Sequence, residues 1–147
     1  AVYPAAFLHD FMRQVDADYN SSAINMIEFF STTCGHCKNL HASGILDQAA
    51  AGSEINLYLF DVNFHNTVED LNAYLAEGPD ENAVVYDLSQ EEVMQLNIPS
   101  VPLVFLTFNE DDMIVLSGQD RAGFMGDQVN YSLENELLAF QEYLNEI

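Results

Sequence analysis

The sequence predicts an α/β fold, a mixed central β-sheet flanked by helices, and three observations carry that expectation. Two apolar runs, residues 24–30 and 55–62, are separated by a stretch of helical character, so they read as parallel neighbours joined by a crossover helix. Residues 103–108 and 113–116 flank Asn109-Glu110-Asp111-Asp112 and read as an antiparallel hairpin added to the same sheet. The only two cysteines, Cys34 and Cys37, directly follow the first apolar run, where a strand would deliver them to the first turn of a helix.

Taken in order, Pro4 suits a first helical turn, and Phe7, Leu8, Phe11, Met12 and Val15 recur at helical spacing, so residues 1–20 are expected to hold an N-terminal helix. Residues 16–22 read as a polar linker. The run 24–30 is too apolar for a strand wetted on one side and reads as central. Residues 34–50 read as helix, with Ser43-Gly44 a point of kinking or interruption. Residues 67–77 read as a short helix with Val68, Leu71, Tyr74 and Leu75 on one side, ended by Gly78-Pro79. Residues 83–86 are a brief apolar piece that the pattern leaves unassigned. Ser89 and Glu92 have the spacing of a capping box, opening a helix whose Val93, Met94 and Leu96 face inward. Beyond the hairpin, residues 119–131 read as loop, and Ser132 caps a terminal helix with Leu133, Leu137, Phe140, Leu144 and Ile147 in one stripe. At 147 residues the chain reads as a single domain, 1–147, without internal repeats.

About half the residues are apolar, with ten Phe and seven Tyr, which excludes a disordered chain. No apolar run approaches the ~18 residues of a membrane span. Against 24 acidic residues stand three basic ones, Arg13, Lys38 and Arg121. Nothing could neutralise phosphates, so nucleic acid and acidic lipid surfaces are excluded as partners. The acids are spread along the chain and read first as a solvated surface suited to a salty milieu, second as a surface for a basic partner or cations. A start at Ala1 without Met fits a mature product cut after a small residue, although a trimmed chain would look the same.

The chemistry concentrates at the cysteine pair. A sulfur at a helix N-terminus meets unpaired N–H groups and the positive end of the helix dipole, which favour the thiolate that attacks disulfides. Cys34 is therefore the expected nucleophile and Cys37, one turn along and more buried, the resolving thiol. His36 lies between them, where its imidazole can stabilise the Cys34 thiolate and make the disulfide a stronger oxidant. Glu28 is an acid within an apolar strand. Buried there, it would exchange a proton with Cys37 during resolution; pointing to an edge, it would only be solvated. Cys34, Cys37 and His41 share a helix face, but no further cluster supplies a fourth zinc ligand. His9 and His65 read as lone, solvated side chains, and neither metal nor cofactor is expected.

With these residues in place the chain resembles the thioredoxin-like superfamily and, around the cysteines, the catalytic domains of protein disulfide isomerases. Glu28-Phe29-Phe30 followed by Cys34-Gly35-His36-Cys37-Lys38 is similar to their Glu-Phe-Tyr…Cys-Gly-His-Cys-Lys pattern, and residues 98–105, with Pro102, are similar to the segment carrying their cis-proline. The resemblance covers most of residues 20–147. It implies a thioredoxin-like fold divided into an N-terminal helix (1–20), a βαβ unit with the cysteines (24–62), an insertion (64–88), and a cis-proline, hairpin and terminal helix (98–147). It also implies that Pro102 sits beside the cysteines and that Val101, with Gly35, meets the substrate chain. Lys38 and Arg121 would be modulators, Arg121 because residues 118–121 loosely match a Gly-x-Arg stretch of isomerase domains. Thr33 stands where the family has tryptophan, Leu59 where it often has a lysine facing the buried acid, and Ala42 where it has a helix proline.

The expected function is that of a thiol–disulfide oxidoreductase, exchanging disulfides with cysteine-containing proteins and a redox partner. It would work as a monomer in an exported oxidising compartment, periplasm or secretory lumen, in preference to cytoplasm. The rival reading is a non-catalytic binding or chaperone module of the same fold with a structural disulfide.

Overall fold

Which residues become the centre of the sheet is decided by burial of β2 (Asn25–Phe30), every residue of which is buried. The computed structural model describes residues 2–44, 46–47, 50–51, 55–78, 83–98 and 101–115. Within these, β2 pairs in parallel with β3 (Asn56–Asp61) and antiparallel with β5 (Leu103–Thr107). β1 (Val2–Pro4), β4 (Val84–Asp87) and β6 (Asp112–Val115) complete a six-stranded mixed sheet in the order β1-β6-β5-β2-β3-β4. The parallel pair and the antiparallel hairpin expected from the sequence are both present.

Helices α1 (Ala6–Val15), α2 (Gly35–Ser43), α3 (Val68–Leu75) and α4 (Gln90–Leu96) pack on the sheet. The period-two alternation of β2 sends Ile27 and Phe29 to one face, with Leu8, Phe11 and Met12 of α1 and Leu96 of α4. Met26 and Phe30 go to the other face, with Cys37 of α2 and Tyr74 of α3. A strand covered on both faces reads as a continuous apolar run, which is why residues 24–30 stand out.

The N-terminus differs from expectation. Pro4 lies in β1, an edge strand paired with β6, where a missing N–H is tolerated. α1 begins at Ala6 with Ala5 as an N-cap that has no side-chain cap bond. Phe7 falls off the buried stripe and is 50% exposed. The stretch expected to be a polar linker contributes buried Tyr19 and Ser21. His9 is buried, not solvated: its Nε2–H donates to the Asn109 carbonyl at 2.9 Å and Nδ1 accepts from the Tyr19 hydroxyl at 2.7 Å. Arg13 ties α1 to the β5–β6 turn through Glu110 at 3.0 Å and Ser21 at 3.0 Å.

The helix expected over 34–50 is interrupted at Ser43-Gly44, the point the sequence marks: α2 ends at Ser43, Gly44 takes a left-handed φ of 70° as C-cap, and residues 46–47 and 50–51 are again helical. Residues 64–88 contain α3 and β4, and β4 runs parallel to β3. Most of the apolar piece left unassigned at 83–86 thus belongs to strand β4, and β3, α3 and β4 form a second strand–helix–strand unit that widens the sheet. α3 carries a Thr67–Asp70 capping box, and the Ser89–Glu92 box of α4 is present as the sequence indicates. Val68, expected on the same side as Leu71, Tyr74 and Leu75, and Met94, expected inward, are 67% and 70% exposed, while Leu71, Tyr74 and Leu75 of α3 and Val93 and Leu96 of α4 pack on the core. The loop at 119–131, the terminal helix and Arg121 lie outside the described residues. Among the described residues no helix is long and apolar enough to cross a membrane.

Phe29 is fully buried between Phe60, stacked at 5.4 Å, and Phe105, edge-on at 5.9 Å. Phe29→Ala should cost about 3–5 kcal/mol by opening a cavity between β2, β3 and β5, read as a lowered midpoint of urea unfolding with an unchanged slope.

Candidate active site

β2 ends at Phe30, and Ser31-Thr32-Thr33 turns the chain into α2 with Cys34 as N-cap residue. Its extended backbone, φ −86° and ψ 118°, turns the sulfur onto the first helical turn, where Sγ accepts the Cys37 N–H at 3.3 Å. The sulfur occupies the place of the oxygen in an ordinary N-cap, so a helical N–H without an intrahelical partner points at it, an arrangement that favours a thiolate. Cys34 is half-buried and Cys37 fully buried, and both thiols are free. The Cys37 thiol is pushed well above its ordinary range, first by burial, then by its hydrogen-bonded neighbour Cys34, with the nearby Glu28 charge adding to the rise.

The bond between Val101 and Pro102 is cis. The Cys34 thiol donates to the Val101 carbonyl at 3.7 Å, and Pro102 is buried alongside. Glu28 does not point to an edge: it is 1% exposed on the central strand, in register with Leu59 of β3 and Val104 of β5. The position read as replacing a lysine is therefore its direct lateral neighbour. Gly35, His36 and Lys38 are exposed on the first turn of α2, and a Cβ on Gly35 would meet nothing within 4 Å. Cys34, Cys37, Glu28 and Val101 are thus brought together, with His36 and Lys38 on the rim.

Two sets of residues around the pair escaped sequence reading. Thr32, 7% exposed, accepts hydrogen bonds from the Asn63 and Asn66 side-chain amides, each at 3.3 Å. Asp61, fully buried, accepts the Asn63 backbone N–H at 2.9 Å and a bond from the Asn66 side chain. Its carboxyl is raised above the usual range by burial, with the Asp87 charge in register on β4 contributing. This network holds the turn before Cys34 to the end of β3; the signal was the clustering of Asp61, Asn63 and Asn66 just past an apolar run, as in Asx turns.

The second set is a stack of rings. Phe30 and Tyr74 lie parallel at 4.5 Å, and Tyr74 and His41 at 4.7 Å. The Tyr74 hydroxyl donates to the Cys37 carbonyl at 3.0 Å, and His41 Nε2 donates to the Leu75 carbonyl at 3.1 Å. α3 is thereby fastened to α2 behind Cys37. Gly78 follows α3, and a Cβ there would lie 2.5 Å from the His41 carbonyl oxygen, so Gly78 is a close-approach position and not merely a helix stop. Among the described residues no group of three His, Cys, Asp or Glu is placed to hold a metal ion.

The sheet order, the cysteine pair at the start of α2 and the cis-proline beside it define a thioredoxin-like fold. A secreted Mycobacterium tuberculosis disulfide oxidoreductase homologous to Escherichia coli DsbE superposes with a TM-score of 0.59 at 11% identity, over 80% of this chain and 82% of that one. The thioredoxin domain of a thiol-disulfide oxidoreductase from Bacteroides vulgatus matches with a TM-score of 0.56 at 18% identity, over 90% and 83%. A putative thiol:disulfide interchange protein DsbE from Chlorobium tepidum matches at 0.54 and 16%, over 81% and 80%. At these identities the likeness is one of fold. No family model matches the sequence, and no curated protein matches it.

The unequal burial of the two thiols has a direct readout. Iodoacetamide at about neutral pH should modify one thiol per reduced chain, at Cys34, with Cys37 reacting only on unfolding. Equal labelling in the folded protein, located by peptide mapping, would contradict the assigned roles.

Proposed function

We propose that the protein is a thiol–disulfide oxidoreductase whose Cys34–Cys37 pair exchanges disulfides with other proteins. The observation that carries this reading is the Cys34 sulfur capping α2 through the Cys37 N–H, half-exposed and next to the Val101 carbonyl. The motif resembling that of protein disulfide isomerases supports it, as do the names borne by the structural neighbours.

The cycle follows from the geometry. The Cys34 thiolate attacks a client disulfide; that S–S bond breaks, one client sulfur leaves as thiolate, and a mixed disulfide forms. Cys37 then gives its proton to Glu28 and attacks the Cys34 sulfur, releasing the second client thiolate. The pair has lost two electrons and the client has gained them; run backward, the same steps oxidise a client dithiol. Glu28 suits the proton step because it is buried near Cys37 where bulk water reaches poorly. Val101 beside Cys34 presents backbone to the client chain, Gly35 leaves room for it, and His36 on the rim supplies a donor to the Cys34 thiolate. An oxidising, exported compartment is the setting in which such a pair finds disulfides to exchange, and the Mycobacterium tuberculosis neighbour is itself secreted.

Reduction of insulin by dithiothreitol tests the reading: wild type should accelerate it and Cys34→Ser should not. Absence of catalysis by wild type would leave the fold as a binding module with an idle disulfide. Glu28→Gln keeps the shape and removes a buried charge, so it should be at least as stable as wild type. It should also accumulate trapped mixed disulfide while initial attack is almost unchanged; normal turnover between about pH 6 and 8 would mean that water takes the proton.

His36→Pro removes the imidazole beside the thiolate. The reduction potential, measured against glutathione, should fall by ~30 mV or more, a tenfold change in the exchange constant. A shift below ~10 mV would assign the poise to the helix end alone.

A further inference from the structure

A groove of about 510 Å³ opens beside the cysteines, between the start of α2 and one face of α3. Thr33 and Lys38 form its near wall, Asp70, Ala73 and Glu77 its far wall, and Tyr74 lies at its base. The far wall is a consequence of helical periodicity: positions 70, 73, 74 and 77 fall on one side of α3 and the turn that follows it. Ala73 in the middle of that wall leaves the space open. Thr33, the residue directly before Cys34, and Lys38, the residue directly after Cys37, both line the groove, so it flanks the cysteine motif although neither cysteine forms part of its wall.

We propose that this groove seats the segment of a client polypeptide next to its reacting cysteine, and that it selects segments carrying Lys or Arg. The proposal rests on the oxidoreductase reading and names the client chemistry that reading leaves open. A chain that brings a disulfide to Cys34 has the Val101 carbonyl on the sulfur itself and this groove next to the residues flanking the cysteine motif. The groove is lined by polar and charged side chains, so it rewards hydrogen bonds and charge rather than an apolar anchor.

Its charges are unbalanced toward acid. Asp70 commits one carboxylate oxygen to the Thr67 N–H at 2.9 Å. Among the described residues, the Glu77 side chain makes no hydrogen bond or ion pair; its backbone N–H donates to the Tyr74 carbonyl at 3.2 Å. Both side chains are exposed on α3 or just beyond it, against the single ammonium of Lys38. A client ammonium or guanidinium meets two carboxylates along the far wall, while Lys38 on the near wall is placed to donate to client backbone carbonyls. The net charge of −21 attracts the same clients at long range, so the test must separate local from global charge.

The probes are two disulfide peptides identical except for Lys or Glu at the positions flanking the cysteines, reduced by the fully reduced protein. The second-order rate should favour the Lys peptide by roughly three- to tenfold at low salt, since exposed charge pairs are modest, and the preference should shrink at high salt. Glu77→Lys should abolish or invert it, and the milder Glu77→Gln should reduce it. Glu91→Lys on α4 makes the same change in net charge away from the groove and should leave most of the preference intact. Equal rates for the two peptides, or equal losses in Glu77→Lys and Glu91→Lys, would overturn the groove while leaving the oxidoreductase reading standing. Failure of wild type to reduce either peptide or insulin would remove the oxidoreductase reading and this one with it.

Discussion

The central position of β2 governs the chemistry at its end. Held by β3 on one side and β5 on the other, and covered on both faces, β2 cannot shift register without moving every apolar side chain to the wrong layer. Its C-terminal end therefore has one place to be. The turn through Thr32 is tied down by Asn63 and Asn66, and Cys34 is delivered to the first turn of α2 with its sulfur facing the Cys37 N–H. Glu28, six residues upstream on the same strand, enters the same buried layer as Cys37 because two is the period of a strand.

Cys37 is more tightly held than Cys34. α3, part of the stretch that a minimal reading treats as an insertion, lays Tyr74 between Phe30 and His41 and hydrogen-bonds the Cys37 carbonyl. Such ring pairs contribute ~0.5–1.5 kcal/mol each beyond the area they bury. The added crossover therefore does two things: it widens the sheet by β4, and it braces α2 through Tyr74 and the His41 bond to the Leu75 carbonyl. One thiol stays half-open at the helix end while the other is locked in the core, an asymmetry that two-step exchange requires.

Charge is distributed in a way that isolates Lys38 at the site. Arg13 is engaged with Glu110 and Ser21 on the far end of the sheet, where, half-exposed, it fixes a turn more than it stabilises the fold. Lys38 is the one lysine or arginine that the described residues bring to the cysteine motif and its groove.

The sequence by itself determined the elements with strong periodicity or explicit local chemistry. Residues 24–30 and 55–62 are apolar because both faces of a central parallel pair are covered, and that pattern is visible without a structure. The Ser89–Glu92 box, the break at Ser43-Gly44 and the cysteine pair are local in the same sense: neighbours in sequence make the interaction. What only the tertiary structure decided depends on partners far along the chain. Pro4 became part of an edge strand because β6, over a hundred residues later, offers it pairing. Most of residues 83–86 became part of β4 because β3 had a free side. His9 was drawn inward by Tyr19 and Asn109, and Gly78 acquired its role from the His41 carbonyl on another helix. Four residues carry too little periodicity to announce a strand, and a lone histidine or glycine carries none. Their environment is set by loop closure and packing, which bring together positions that no local pattern connects.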